Sequence, residues 1–162
     1  MGADLYIESL HDKCHETHRP LFEAAVQARD TLAVKASPEF AEKLQALVSY
    51  HYDQMYAEGY FRDSYNDTSL FWQLKLSWWG DGATYIGEDG YMSVEKTKEL
   101  LAEVKNREMP PFEEWRVPKR VTLDEDEHTP QKWYEYFVDK RERFIEFLEQ
   151  AIELDEPICC SV

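Results

Sequence analysis

The sequence predicts a mainly α protein, a single-domain helical bundle of about five helices with a minor β-hairpin at about residues 83–92. Three observations predict it. Apolar residues recur at helical spacing along most of the chain. Three segments open on a cap residue: Ser37 and Thr129, each followed by proline, and Ser93. Four of the six glycines fall between residues 80 and 90, where a turn or hairpin is expected.

Residues 4–18 fit an amphipathic helix with Ala3, Ile7, Leu10 and Cys14 along one face, although Leu5-Tyr6-Ile7 would also start a short strand. Pro20 is expected to break that helix near Arg19 and to open a second one, with Leu21, Ala25, Ala28 and Leu32 facing inwards as far as about Val34. The third helix starts at Pro38 under the Ser37 cap. Phe40, Leu44, Leu47, Val48, His51 and Met55 make its apolar face, and Gly59 is its expected stop.

Residues 60–69 read as a loop rich in turn formers. Residues 70–79 fit both a strand, through alternating Trp72, Leu74, Leu76 and Trp78, and a helix, through Leu70, Phe71, Leu74 and Trp78. Thr68 or Ser69 as cap and Gly80 as stop favour a buried helix. The fourth well-marked helix follows Ser93, with Val94, Thr97, Leu101 and Val104 inwards, and Pro110-Pro111 end it. Residues 108–129 form a long connection whose Phe112, Trp115 and Val117 should dock and whose Asp124-Glu125-Asp126-Glu127 should stay in water. The last helix spans about 130–154, with Trp133, Phe137, Phe144, Leu148 and Ala151 or Ile152 on one face and Asp139 paired with Arg143. The expected domain is 1–155, followed by a short frayed tail, 156–162.

At 162 residues, with 43% hydrophobic and 14% aromatic residues, the chain has ample material for a core. Its net charge is −15: residues 1–87 carry 13 acids against 7 bases, and residues 88–162 carry 20 against 11. Nucleic-acid and anionic-membrane binding draw on Lys and Arg, so neither partner is expected. Three cysteines without Cys-x-x-Cys spacing fit a reducing compartment. No stretch has the ~18 apolar residues of a membrane span, and the first residues lack signal-peptide character. Cytoplasmic is the expected location. Cys159-Cys160-Ser161-Val162 resembles a prenylation box in position only, because Ser161 replaces an aliphatic residue and Asp155 and Glu156 replace a basic patch.

Two constellations could carry chemistry. Glu8, His11, His15 and His18 line one stripe of the first helix, where imidazoles one turn apart and a carboxylate could share a divalent metal. The alternative is a solvated helix shoulder. The second is aromatic: residues 50–79 hold ten of the chain's 23 aromatic residues, interleaved with Arg62, Asp63 and other charges. Tyr56, Tyr60, Arg62, Asp63, Tyr65 and Trp78 are the candidate ligand- or partner-binding residues, since convergent aromatics with a few charges build pockets and interface hot spots. A polar-laced core would give the same composition.

Catalytic signals are weaker. His51 stands alone on an apolar face with no nucleophile marked beside it, and Ser64 lacks a Gly-x-Ser-x-Gly setting. Glu88-Asp89-Gly90 is a turn and not a calcium loop, because Tyr85, Gly87 and Lys96 occupy the first, third and twelfth positions. No phosphate-binding glycine loop occurs. The acidic end of the last helix, Glu146, Glu149, Glu153, Asp155 and Glu156, could imitate nucleic acid towards a basic protein or simply keep the chain soluble. The leading expectation is a non-enzymatic binding or regulatory domain using the Tyr/Trp-rich segment against a protein or small ligand. The alternatives are a His11/His15/His18 metalloprotein and an acidic mimic.

Overall fold

In a computed structural model the described residues are 2–32, 37–65, 69–78, 80, 82–111 and 129–161. Phe112, Trp115, Val117, the acidic run 124–127 and Trp79 lie outside them. Helices make up 65% of the described residues and the remainder includes a small sheet, so the mainly α class holds. The chain falls into two compact units: residues 7–60, and residues 1–6 together with 61–162.

The first of these is a helical hairpin. Helix α1 runs Glu8–Leu32 and helix α2 runs Pro38–Met55. Arg29 reaches Gln45, Phe22 meets Tyr52, and His18 meets His51, so the helices are antiparallel. The break expected at Pro20 does not occur. A proline inside a helix removes one bond, here to the carbonyl of Glu16, and both residues face solvent, where water can satisfy that oxygen. Thr17 also donates its hydroxyl to Lys13 O just upstream, at 2.8 Å. Ser37 caps α2 as expected, accepting from Phe40 N, and Pro38 sits in the first turn. Gly59 does not end that helix, whose cap is Tyr56. With φ of +64° it instead closes the base of the hairpin: its carbonyl accepts from Ile7 N at 2.8 Å, and a Cβ there would lie 2.7 Å from Leu10 Cβ.

The other unit is a four-stranded sheet packed with helices. Its strands are β1 (Gly2–Tyr6), β2 (Tyr60–Ser64), β3 (Tyr91–Met92) and β4 (Ile158–Ser161), in the order β2-β1-β4-β3. The central β4 runs antiparallel to both neighbours, with Leu5 opposite Cys160 and Met92 opposite Ile158. Three expectations change here. Residues 2–6 are strand, as Ala3 and Leu5 alternate into the interior. Residues 60–64 are strand and not loop, because Asp63 is buried in phase with Phe61. Residues 158–161 are a central strand and not a frayed tail. The minor β component therefore keeps Tyr91–Met92, but their ladder partner is β4. Residues 82–84 form a 3-10 turn, and Gly87 N donates to Tyr91 O to close the turn between them.

Helix α3 is one turn, Leu70–Gln73, capped by Ser69. It is shorter than the expected buried helix, and the chain after it buries Leu74, Leu76 and Trp78 while Trp72 stays exposed. Helix α4 (Val94–Asn106) has the expected Ser93 cap, and buries Leu100 in place of Leu101. Helix α5 (Pro130–Glu153) starts under Thr129 and buries Phe137, Phe144, Phe147, Leu148 and Ala151. It also buries Lys140. Arg141 of α5 donates to the carbonyls of Val104, Lys105 and Arg107, satisfying the open end of α4. Both α3 and α5 end in a Schellman arrangement, with Leu76 N donating to Phe71 O and Glu156 N to Ala151 O. Non-glycine residues hold the left-handed position in each, Lys75 at φ 55° and Asp155 at φ 53°.

Candidate functional site

The six aromatic-block candidates divide between the two units. In the sheet unit, β2 points Asp63 inwards and Arg62 outwards. Asp63 is 2% exposed and accepts four hydrogen bonds: Leu70 N at 2.8 Å, Phe71 N at 3.1 Å, Trp78 Nε1 at 3.0 Å and Lys140 Nζ at 2.8 Å. Two of these donors are the first amides of α3, which need an acceptor outside the helix. Lys140 is itself 6% exposed and lies 5.8 Å from the Phe61 ring centre and 5.6 Å from that of Tyr136. Phe71 stacks on Trp78 at 3.6 Å, and Phe61 on Phe144 at 4.4 Å, sealing the group.

Four donors engage the Asp63 carboxylate, and Asp63 and Trp78 are both buried, so the two form an interior knot. Its chemistry is to hold the sheet, the α3 turn and α5 together. Sequence reasoning missed Lys140, because a lysine in an acidic helix reads as solvent-facing. A position in register with Phe137 and Phe144 was the available signal.

Arg62 is exposed and 3.6 Å from Asp4 across the sheet. Tyr65 is half-buried. Burial pushes its phenol above the ordinary value, the Asp4 carboxylate adds to that, and Arg62 opposes it. Two open clefts of this unit, of about 650 Å³ beside Lys105, Tyr134 and Arg141 and about 380 Å³ beside Tyr85, Tyr91 and Lys96, include none of the six candidates. Cys160 is buried in β4, and burial, with Cys159 adding to it, pushes its thiol up to about 12. A thiol so raised is a poor nucleophile at neutral pH.

The hairpin holds the other two candidates, Tyr56 and Tyr60, in a continuous seam of rings. Tyr52 lies 5.4 Å from Tyr56, and Tyr56 lies 4.9 Å from Tyr60, centre to centre. The imidazoles of α1 join them: His11 is 4.5 Å from His15, and His15 meets the Tyr56 ring edge-on at 5.5 Å. Phe22 continues the seam to Tyr52 at 5.9 Å. Further along, His18 Nδ1 and His51 Nδ1 share a hydrogen bond at 3.1 Å, flanked by Tyr50. His51 therefore has a ring partner, which the sequence could not show. Tyr50 and Tyr52 remain 54% and 50% exposed.

Glu8, His11, His15 and His18 share the α1 stripe but do not assemble as a ligand set. Among the described residues no three His, Cys, Asp or Glu side chains are grouped to hold a metal ion. The physical reason is that the rings stack on one another and on Tyr56, and His18 turns to His51. Nε2 of His15 is buried with no hydrogen-bond partner among the described residues. Desolvation holds the His15 imidazolium below its usual range, His11 and Arg19 add to that, and Asp12 opposes it.

The acidic end of α5 is mostly exposed, with Glu149 engaged by Lys105 from α4. Among the described residues no helix is long and apolar enough to cross a membrane. Compared with protein-family models, curated proteins and solved structures, the chain matches none.

Proposed function

We propose that this protein is a non-enzymatic binding or regulatory domain of the cytoplasm, and that its helical hairpin presents the tyrosine seam to a protein partner carrying basic side chains. The observation that supports this reading is the half-exposure of Tyr52 in the row it forms with Tyr56 and Tyr60, and of Tyr50 beside the His18–His51 pair. Tyrosines held by neighbouring rings lose little freedom on binding and offer both an apolar face and a hydroxyl. Their faces also attract guanidinium and ammonium groups, and a net charge of −15 steers such a partner towards the chain. The inward turn of Asp63 and Trp78 moves the binding reading from residues 56–79 to residues 50–60.

The test compares proteins retained from a cell extract by the wild-type chain and by a Tyr50→Ala/Tyr52→Ala variant with unchanged circular dichroism. A specific protein held by the wild type and lost by the variant is the expected result. Equal retention by both would remove the seam from the function. Where a partner is found, binding that collapses with salt even when both tyrosines are present would favour charge mimicry.

A further inference from the structure

We infer that the free face of α1 is a self-association surface, on which two copies of the chain pair their α1 helices antiparallel about a two-fold axis at Leu21. The inference does not depend on the tyrosine seam.

Helix α1 is 25 residues long and contains no fully buried residue. Beside the stripe that meets α2, it carries an uncharged row: Leu10, Cys14, Thr17, Leu21, Ala25, Ala28 and Leu32. Leu21 and Leu32 are 48% and 47% exposed. The continuity of α1 through Pro20 is what makes the row one surface, since a break there would divide it. Charged residues avoid this row. Glu8, Asp12, Glu16, Arg19, Glu23 and Asp30 recur at helical spacing on the opposite side of the helix.

The row is palindromic about Leu21. Four residues away on either side stand Thr17 and Ala25, seven away Cys14 and Ala28, and eleven away Leu10 and Leu32. A two-fold interface requires residue i to meet residue j while j meets i. In an antiparallel pair centred on Leu21, each leucine at one end meets a leucine of the other copy, and small residues oppose small residues between them. That pattern lets two helices approach closely on either side of Leu21 and lock at the centre and ends. A different partner would not need this symmetry.

The Thr17 hydroxyl donates to Lys13 O within its own helix, so covering it leaves no donor stranded. Area also fits. A 25-residue helix is about 37 Å long, and a face of the hairpin two helices wide spans about 20 Å. The axis that pairs the two α1 helices also lays each α2 over its counterpart, so the contact is two helices wide, on the order of the ~800 Å² per partner typical of a stable complex.

Sedimentation velocity of the full chain up to about 100 µM, far above the ~1 µM constant of a moderate dimer, is expected to show a dimer. Leu21→Glu should make it monomeric with unchanged circular dichroism, since Leu21 is half exposed. Register and direction are read by Ala28→Cys under mild oxidation: peptide mapping should find Cys14 of one copy joined to the introduced thiol of the other. A monomeric wild type, a dimer that survives Leu21→Glu, or a disulfide joining the two introduced thiols to each other would overturn the assignment. None of these results bears on the Tyr50/Tyr52 experiment, so the two readings fail separately.

Discussion

The two units use the same materials, aromatic rings interleaved with polar groups, to opposite ends. In the sheet unit, rings close over one carboxylate that four donors satisfy, and the polar group becomes an internal fastener. In the hairpin few side chains are buried, Leu44, Val48 and Met55 of α2 among them, and tyrosines and histidines stack along a seam and stay partly wet. The difference shows that burial is decided by the number of layers around a segment. The inner face of β2 is covered by the α3 turn and α5 while its outer face leaves Arg62 exposed; a helix in a two-helix hairpin is covered along one stripe only.

The comparison breaks most visibly at Asp63. Asp63→Ala leaves Lys140 buried without a counter-charge and strips an acceptor from the first amides of α3. A loss of about 3–5 kcal/mol is expected from urea unfolding. A loss below about 1 kcal/mol, the ordinary effect of a surface change, would mean the knot is dispensable.

Acidity and alkalinity should separate the units. His15 has a lowered folded-state pKa, so the unfolded chain binds the proton first. Stability is full above the ordinary imidazole value of 6.5 and falls as pH drops below it. Cys160 is the reverse case: the unfolded thiol loses its proton near 9.0 while the folded one keeps it to about 12, so stability falls as pH rises through that window. His15→Gln should flatten the acid limb of a stability–pH curve and Cys160→Ala the alkaline limb. Unchanged limbs would show that other groups dominate.

Smaller effects sharpen the picture of the sheet unit. Lys75→Gly and Asp155→Gly each relieve a left-handed backbone position, with an expected gain of about 0.5–1 kcal/mol in thermal or urea unfolding. A loss in either would mean the side chain contributes more than the backbone costs. Smallest of all is Arg62→Ala. Its ion pair with Asp4 is long and the arginine exposed, so a change within about 0.5 kcal/mol is expected. A larger loss would place Arg62 functionally with Asp63, its neighbour in sequence.

Local chemistry made much of this legible in advance. The caps Ser37, Ser93 and Thr129 were readable because each needs only its own hydroxyl and an amide two or three residues ahead. The Asp139–Arg143 pair, at 3.1 Å, was readable for the same reason. Residues that depend on distant partners were not. Asp63 looked like loop chemistry because its donors, Trp78 and Lys140, lie 15 and 77 residues away. The histidine stripe was visible, but not that His18 would turn to His51 across 33 residues. The Leu21 palindrome was hidden by treating Pro20 as a helix boundary, although proline costs a helix one bond and a clash, which neighbouring structure can outweigh.

By itself the sequence determined the helical class, the starts of three helices and the strong acidic balance, all set by residues within a few positions of one another. Tertiary structure decided which polar groups went inside, that Ile158–Ser161 would be a central strand, and that α1 would run unbroken. Each of these turns on free energy supplied by contacts between residues far apart in the chain, and such contacts leave no periodic mark in the sequence.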